Sequence, residues 1–178
     1  MTMLIKDYST DSKEVLDFCN SVLAECSADI KEWYSDPKRI QRYDYCSLMY
    51  DGQGNAFASS FVENINKWWR VGQIHYVLKE YRNKYPSAML KVDGFLDYHW
   101  NKLEGNGIFF SIHTYSRRMR IQAQMMHDRL INTHRENLTP LRDRILALGE
   151  HQLRYVPQEI FVLSKVEFAK EDFLNAVL

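Results

Sequence analysis

Residues able to do chemistry gather most densely in YVLKEYRNKYPSAML, Tyr76 to Leu90. A β-compatible run ends there in a charged turn. Pro86 follows where a first helical residue belongs, its fixed φ suited to the position and its missing N–H not needed there. A helix starting at this point presents unpaired backbone N–H groups and the positive end of its dipole, which together attract anions, phosphate above all. Arg82 and Lys84 add full positive charges beside it. The plainer alternative is a strand-to-helix turn whose charges face solvent.

Other candidates are weaker. Ser116-Arg117-Arg118-Met119-Arg120 opens a later helix, with Ser116 as N-cap. Its arginines can meet a ribose phosphate, an acidic substrate or nucleic acid, or can form a solvated face. Arginine in a first helical turn opposes the dipole, which keeps an anion partner worth testing. His113 and Thr114 end a short strand at the sheet edge where α/β sites lie; an imidazole there can act as a base or be hydrogen-bonded only. His127, His134 and His151 lack metal-ligand spacing. Trp68-Trp69 and Tyr98 with Trp100 read as core packing, a substrate pocket lined by Trp68 being the alternative. A nucleophile elbow, a Walker loop and a dinucleotide glycine fingerprint are all missing, so hydrolase, nucleotidase and dehydrogenase readings have no support.

The elements that must position these residues follow from pattern. At 178 residues the chain suits one domain over 1–178, and 46% apolar with 13% aromatic residues excludes a disordered one. Lys plus Arg and Asp plus Glu are both 23, so no global basic field favours nucleic acid. No apolar run reaches membrane-spanning length, and the acidic, apolar-poor start of the chain argues against secretion; a cytoplasmic protein is expected. Cys19, Cys26 and Cys46 read as reduced core thiols.

Met3–Tyr8 reads as a strand. Asp11 and Glu14 have capping-box spacing ahead of a helix with Val15, Cys19, Val22, Leu23 and Cys26 on its apolar stripe. Residues 27–43 predict a short helix and a loop. Two β-runs flank Asp51-Gly52-Gln53-Gly54 as a hairpin, and a third strand spans Trp69 to Lys79. From Ser87 the helical rhythm returns and stops at Gly105-Asn106-Gly107. Ile108–His113 is an apolar strand of the doubly buried kind. The basic helix runs from Ser116 to about Leu130, a short helix covers Leu141–Leu148, and Gln152–Val156 and Glu159–Val166 form a closing hairpin about Pro157. The order β, α, α, β, β, β, α, β, α, β, β predicts an α/β fold: a mixed sheet, antiparallel at its edges and parallel at its centre, with helices on both faces.

The Tyr76–Leu90 stretch resembles the pyrophosphate-binding motif of the GNAT superfamily of N-acetyltransferases, a strand followed by Gln/Arg-x-x-Gly-x-Gly/Ala and a helix. Arg82 stands at the Gln/Arg position, Asn83 and Lys84 at the free ones, Tyr85 at the first glycine, Pro86 at the next free position and Ser87 at the Gly/Ala position. Glu80-Tyr81 looks like the family's acidic-aromatic lead-in, and the element order is similar over nearly the whole chain. The resemblance implies a GNAT-like acyl-CoA N-acyltransferase fold and acetyl-CoA or a related acyl-CoA as co-substrate. It implies that the backbone of Tyr76, Val77 and Leu78 pairs with the pantetheine arm, and that N–H groups of Asn83, Tyr85, Ser87 and Ala88 surround the pyrophosphate beside Arg82 and Lys84. The strand from Ile108 would splay from its neighbour to admit the thioester, and Ser116 would take the place of the asparagine on the family's fourth helix.

Tyr85 and Ser87 depart from the motif, and Tyr85 must point away from the cofactor. Met119 and Ala123 follow Ser116 at the next two positions, so the family's usual tyrosine acid is absent. Glu63 and His113 are candidate bases. Three functions follow: acyl transfer to an amine of a small molecule or protein, a GNAT-fold binding or regulatory protein without turnover, and nucleic-acid binding through Arg117–Arg120, the last disfavoured by the balanced charge.

Overall fold

The computed structural model describes residues 3–85, 94–114, 117, 120, 121, 124, 144–153 and 156–178. Among them are seven strands, β1 (Leu4–Tyr8), β2 (Tyr45–Tyr50), β3 (Ala56–Ile65), β4 (Trp68–Val77), β5 (Gly107–His113), β6 (Leu146–Leu153) and β7 (Val156–Ser164). The described helices are α1 (Lys13–Leu23), α2 (Ala28–Tyr34), α3 (Pro37–Gln41), α4 (Asp97–Lys102) and α5 (Lys170–Val177). The strands form one mixed sheet in the order β1-β2-β3-β4-β5-β7-β6. β4 and β5 run parallel, whereas β1–β2, β2–β3, β5–β7 and β7–β6 are antiparallel, which matches the expected parallel centre and antiparallel edges. The β4–β5 register joins Trp68, Trp69 and Arg70 to Gly107, Ile108 and Phe109.

The chain divides into two compact units, residues 1–63 with 72–95 and residues 64–71 with 96–178. In the first unit, α1–α3 cover one sheet face over Cys46, Leu48 and Phe61. Met49, Phe57, Ala58, Val77, Tyr85 and Phe95 form a second buried cluster. Buried Cys19 and Cys46 are free thiols, and burial pushes the Cys19 thiol up to about 11, as expected of unreactive core cysteines. In the second unit, Trp68, Phe109, Leu153, Ile160 and Val162 pack against Phe173 and Val177 of α5. Gly107 opens β5 at φ 146, where a Cβ would fall against the Leu163 carbonyl.

Local chemistry accounts for the places where the elements differ from expectation. Ser12, not Asp11, caps α1: its hydroxyl accepts from Val15 N at 3.3 Å, while the Asp11 carboxylate accepts from the Ser9 hydroxyl. Two helices replace the single one expected in residues 27–43, because Asp36 accepts from Lys38 N at 3.0 Å and Pro37 starts a new helix. The β2–β3 hairpin turns at Asp51, as expected, with Oδ1 accepting from Gln53 N and Asn55 N, both at 2.9 Å. β3 and β4 meet at Asn66-Lys67, both at positive φ (50° and 69°), the geometry of a two-residue hairpin turn.

β4 ends at Val77 instead of Lys79, and Lys79–Tyr81 form one turn of 3₁₀ helix. The helix expected over Leu141–Leu148 is overturned at its end: Leu146–Leu148 open β6, whose partner β7 imposes extended backbone on a leucine-rich stretch. The helix start at Ser87 and most of the Ser116–Leu130 helix lie outside the described residues; Arg117, Arg120, Ile121 and Gln124 are helical. α5 is an element that the sequence reading lacked.

Candidate functional site

Arg82 follows directly on the single 3₁₀ turn after β4. Its Nε donates to the Val77 carbonyl at 2.8 Å, and its guanidinium lies 4.8 Å from the Tyr76 ring centroid. A short chain reversal thus folds the arginine back over the end of the strand from which it came, with one of its five N–H donors and its flat face both engaged. Arg82, Tyr76 and Val77, three of the candidate co-substrate residues, are thereby brought together.

The turn itself is heavily braced. Tyr81 N donates to Leu78 O at 3.0 Å and Arg82 N to Lys79 O at 3.2 Å. The Tyr81 carbonyl accepts from both Lys84 N at 3.2 Å and Tyr85 N at 2.8 Å. Leu78 N is taken by the Phe57 carbonyl at 2.9 Å. Two N–H groups expected to face a cofactor, those of Leu78 and Tyr85, are therefore engaged within the protein.

The Tyr85 side chain packs into the second cluster of the first unit. It is buried, and its ring stacks on Phe57 at 5.1 Å. Lys84 Nζ lies 5.2 Å from that ring. Ser87, Ala88 and Ser116 lie outside the described residues.

Two carboxylates brace the same turn from distant parts of the chain. Glu25, just past α1, accepts from Lys79 N at 2.7 Å and from the Tyr76 hydroxyl at 3.2 Å. Burial raises the Tyr76 pKa and Arg82 opposes that rise. Asp51 Oδ2 accepts from the Tyr81 hydroxyl at 2.7 Å. The N–H of Asn55 and the Tyr81 hydroxyl hold the Asp51 carboxyl down at about 2, and Asp51 in turn raises Tyr81 to about 12. Asp51 is legible in sequence only as a hairpin residue, and the reach of both carboxylates to this turn is found only through the fold.

The second half of β4 is irregular. Gly72 and Ile74 have φ of 68° and 45°, the latter a rare conformation for a β-branched residue. Side chains serve the displaced backbone: Ser60 Oγ accepts from Gly72 N at 2.8 Å, and the buried Tyr34 hydroxyl donates to Ile74 O at 2.5 Å. His75 Nδ1 lies 2.9 Å from Ser59 O.

In the second unit, Arg70 is buried at 2% exposure and donates through Nη2 to Ser111 Oγ and Gln158 Oε1, both at 2.9 Å. Ser111 also donates to Gln158 Oε1 at 2.6 Å. His113 ends β5, half-buried and paired with Gln158 in the ladder. Thr114 donates to Glu150 at 2.6 Å, and its carbonyl accepts from Arg120 Nη1 at 3.4 Å, so one arginine of the basic cluster closes the strand end. Trp68 is buried edge-on against Phe173 at 4.8 Å and Phe168 at 5.3 Å, which fits the core-packing reading. Glu63 lies half-buried in β3, in the first unit. Among the described residues no group of His, Cys, Asp and Glu could hold a metal ion, and no helix is long and apolar enough to cross a membrane.

No protein-family model matches the sequence, and comparison with curated proteins finds no match. Solved structures do match. A GNAT-family acetyltransferase from Bacteroides thetaiotaomicron superimposes with a TM-score of 0.58 at 11% identity, covering 97% of this chain and 92% of its own. A chimera of the Vibrio cholerae spermidine N-acetyltransferase SpeG and human SSAT gives 0.56 at 11% identity, over 98% of this chain and 99% of its own. The ribosomal-protein-S18-alanine N-acetyltransferase of Escherichia coli gives 0.51 at 7% identity, over 95% and 97%. The chain has the GNAT N-acetyltransferase fold, as the resemblance implied.

Proposed function

We propose that this chain is an acyl-CoA-dependent N-acyltransferase that moves an acyl group from acetyl-CoA or a related acyl-CoA to an amine of a small molecule or protein. The observation that most supports this is Arg82, held against its own strand end, in a chain that shares the acetyltransferase fold over 97% of its length. An acyl-CoA contributes an activated thioester carbonyl. The donors present suit its anionic portion: Arg82 has N–H groups beyond the one given to Val77, and Lys84 adds a second cation.

Since Leu78 N and Tyr85 N are engaged internally, Leu78 and Tyr85 serve by position. The N–H donors assigned to the co-substrate are those of Val77, Asn83, Ser87 and Ala88, with Tyr76 and Ser116 kept as candidate contacts. Backbone donors around Val77 would polarise the carbonyl as the amine attacks, as an oxyanion site does. Glu63 and His113 are the candidate groups for keeping the amine neutral.

Thermal unfolding with and without CoA tests this directly. Ligand at about 100 times its dissociation constant should add roughly 2.7 kcal/mol of stability. Absence of any shift at millimolar CoA would sink the proposal. Arg82→Ala should weaken the shift in a protein that still folds.

The internal hydrogen bond of Tyr85 N and the buried ring beside it support a second reading, a GNAT-fold binding or regulatory protein without turnover. Acyl transfer to any member of an amine panel that includes spermidine excludes it. CoA binding without transfer to any member favours it.

A further inference from the structure

We propose that Asp51 is a positioning residue for the acyl-CoA-binding turn, acting through the Tyr81 hydroxyl to fix the backbone on which Arg82 stands. This rests on the acyltransferase reading for its functional consequence, although the brace itself is a property of the first unit alone.

Tyr81 is the hub of the turn. Its carbonyl takes both Lys84 N and Tyr85 N, its own N–H reaches back to Leu78 O, and Arg82 is the next residue. Any rotation of Tyr81 about its backbone therefore carries Arg82 with it. Two contacts oppose such rotation. The Tyr81 ring stacks on Phe57 at 4.7 Å with planes 18° apart, and its hydroxyl donates to Asp51 Oδ2 at 2.7 Å. Stacking alone lets a ring slide in its own plane; a hydrogen bond at the far end of the ring stops that sliding.

Asp51 is itself fixed. Oδ1 holds Gln53 N and Asn55 N at 2.9 Å, and Asn55 Nδ2 reaches Oδ2 at 3.3 Å. The carboxylate thus belongs to the rigid tip of the β2–β3 hairpin and lends that rigidity to a segment 30 residues away. Phe57 joins the two: it lies at the start of β3, stacks with Tyr81 and Tyr85, and gives its carbonyl to Leu78 N.

The two partners separate cleanly by mutation. Asp51→Asn keeps an oxygen for the hairpin amides but loses the anionic acceptor, and Tyr81→Phe keeps the stacked ring but loses the donor. Hydrogen exchange at the Lys84 and Tyr85 amides, and CoA affinity by calorimetry, should be measured for the full chain, both single variants and the double variant. Each single variant is expected to speed exchange at those two amides and weaken CoA binding about tenfold, the scale of one hydrogen bond to a charged group.

The double variant should be no worse than either single one, the signature of a shared interaction. Unchanged exchange in Tyr81→Phe overturns the proposal whatever CoA does. Faster exchange with undiminished CoA affinity overturns its functional half. Faster exchange in a protein whose parent shows no response to CoA upholds the brace and overturns the acyltransferase reading instead.

Discussion

The two halves of β4 are built by different means. Trp68–Val71, in the second unit, is regular: its first three residues pair with β5, and Trp68 lies edge-on to two phenylalanines. Gly72–Val77, in the first unit, has two residues at positive φ, and its backbone groups are met by the side chains of Ser60, Tyr34 and Arg82. Ladder pairing and the packing of Trp68 fix the backbone of the first half, whose buried Arg70 makes its polar contacts to side chains; in the second half polar side chains reach the backbone itself. A strand that must leave backbone groups available to another molecule cannot satisfy all of them by regular pairing, so irregularity at the end that leads to Arg82 is what the proposed site requires.

If packing holds the regular half, its largest vulnerability is a cavity. Phe173→Ala removes the ring that meets Trp68 at 4.8 Å and Phe109 at 5.3 Å, and should cost about 3–5 kcal/mol in urea denaturation. A loss near that of an exposed residue would mean that the aromatic cluster does not hold this half.

The same contrast explains what the sequence revealed. Features written in local pattern were legible: the apolar stripe of α1, the Asp51–Gly54 hairpin, the doubly buried β5 and the parallel centre of the sheet. Those decided by partners distant in sequence were not. Leu146–Leu148 has a helix-compatible composition until β7 pairs with it, and Lys67 adopts positive φ where a glycine would have announced the turn. α5 is eight residues long, too short to show a helical period; Phe173 and Val177 are buried in the core and Leu174 and Ala176 pack partly against it. At the site, Arg82 and its place after a strand were legible, whereas Glu25 and Asp51 reach the turn only through the fold. Tyr85 shows both sides: a departure from the glycine motif in sequence, and in three dimensions a core residue stacked on Phe57.

Acid should sharpen the difference between the units. His99 of α4, in the second unit, is fully buried, and burial lowers its pKa to about 3 from an ordinary 6.5. The unfolded chain takes up a proton below pH 6.5 and the folded one does not. The stability this neutral imidazole allows is thus complete above 6.5 and is lost as pH falls from 6.5 towards 3, by up to about 1.4 kcal/mol per pH unit. Unfolding free energies at pH 7 and pH 5 should differ accordingly. A variant with His99→Gln, which cannot titrate, should show a flatter profile over this interval.

The irregular half predicts a smaller, local cost. Tyr34→Phe withdraws the buried hydroxyl that serves Ile74 O and should destabilise by about 1–3 kcal/mol, with exchange quickening in β4 before elsewhere in the first unit. A value near zero would show that the Ser59 hydroxyl, 3.4 Å from Ile74 O, serves that carbonyl without the tyrosine.

Asp51 gives the smallest effect, of the same sign as that of His99 but lower on the pH scale. Its carboxyl is held at about 2 against an ordinary 3.8, first by the Asn55 N–H and next by the Tyr81 hydroxyl. A depressed carboxyl contributes its stability in full above 3.8, and that contribution disappears as pH falls from 3.8 towards 2. The group is half-exposed, so solvent and salt screen it, and the change belongs to the turn more than to the whole fold. Protection of the Lys84 and Tyr85 amides should therefore fall between pH 5 and pH 3 more steeply in the parent chain than in Asp51→Asn, and added salt should narrow the gap. Equal slopes in the two proteins would detach Asp51 from the turn and leave stacking on Phe57 as its support, which would make the two halves of β4 alike after all.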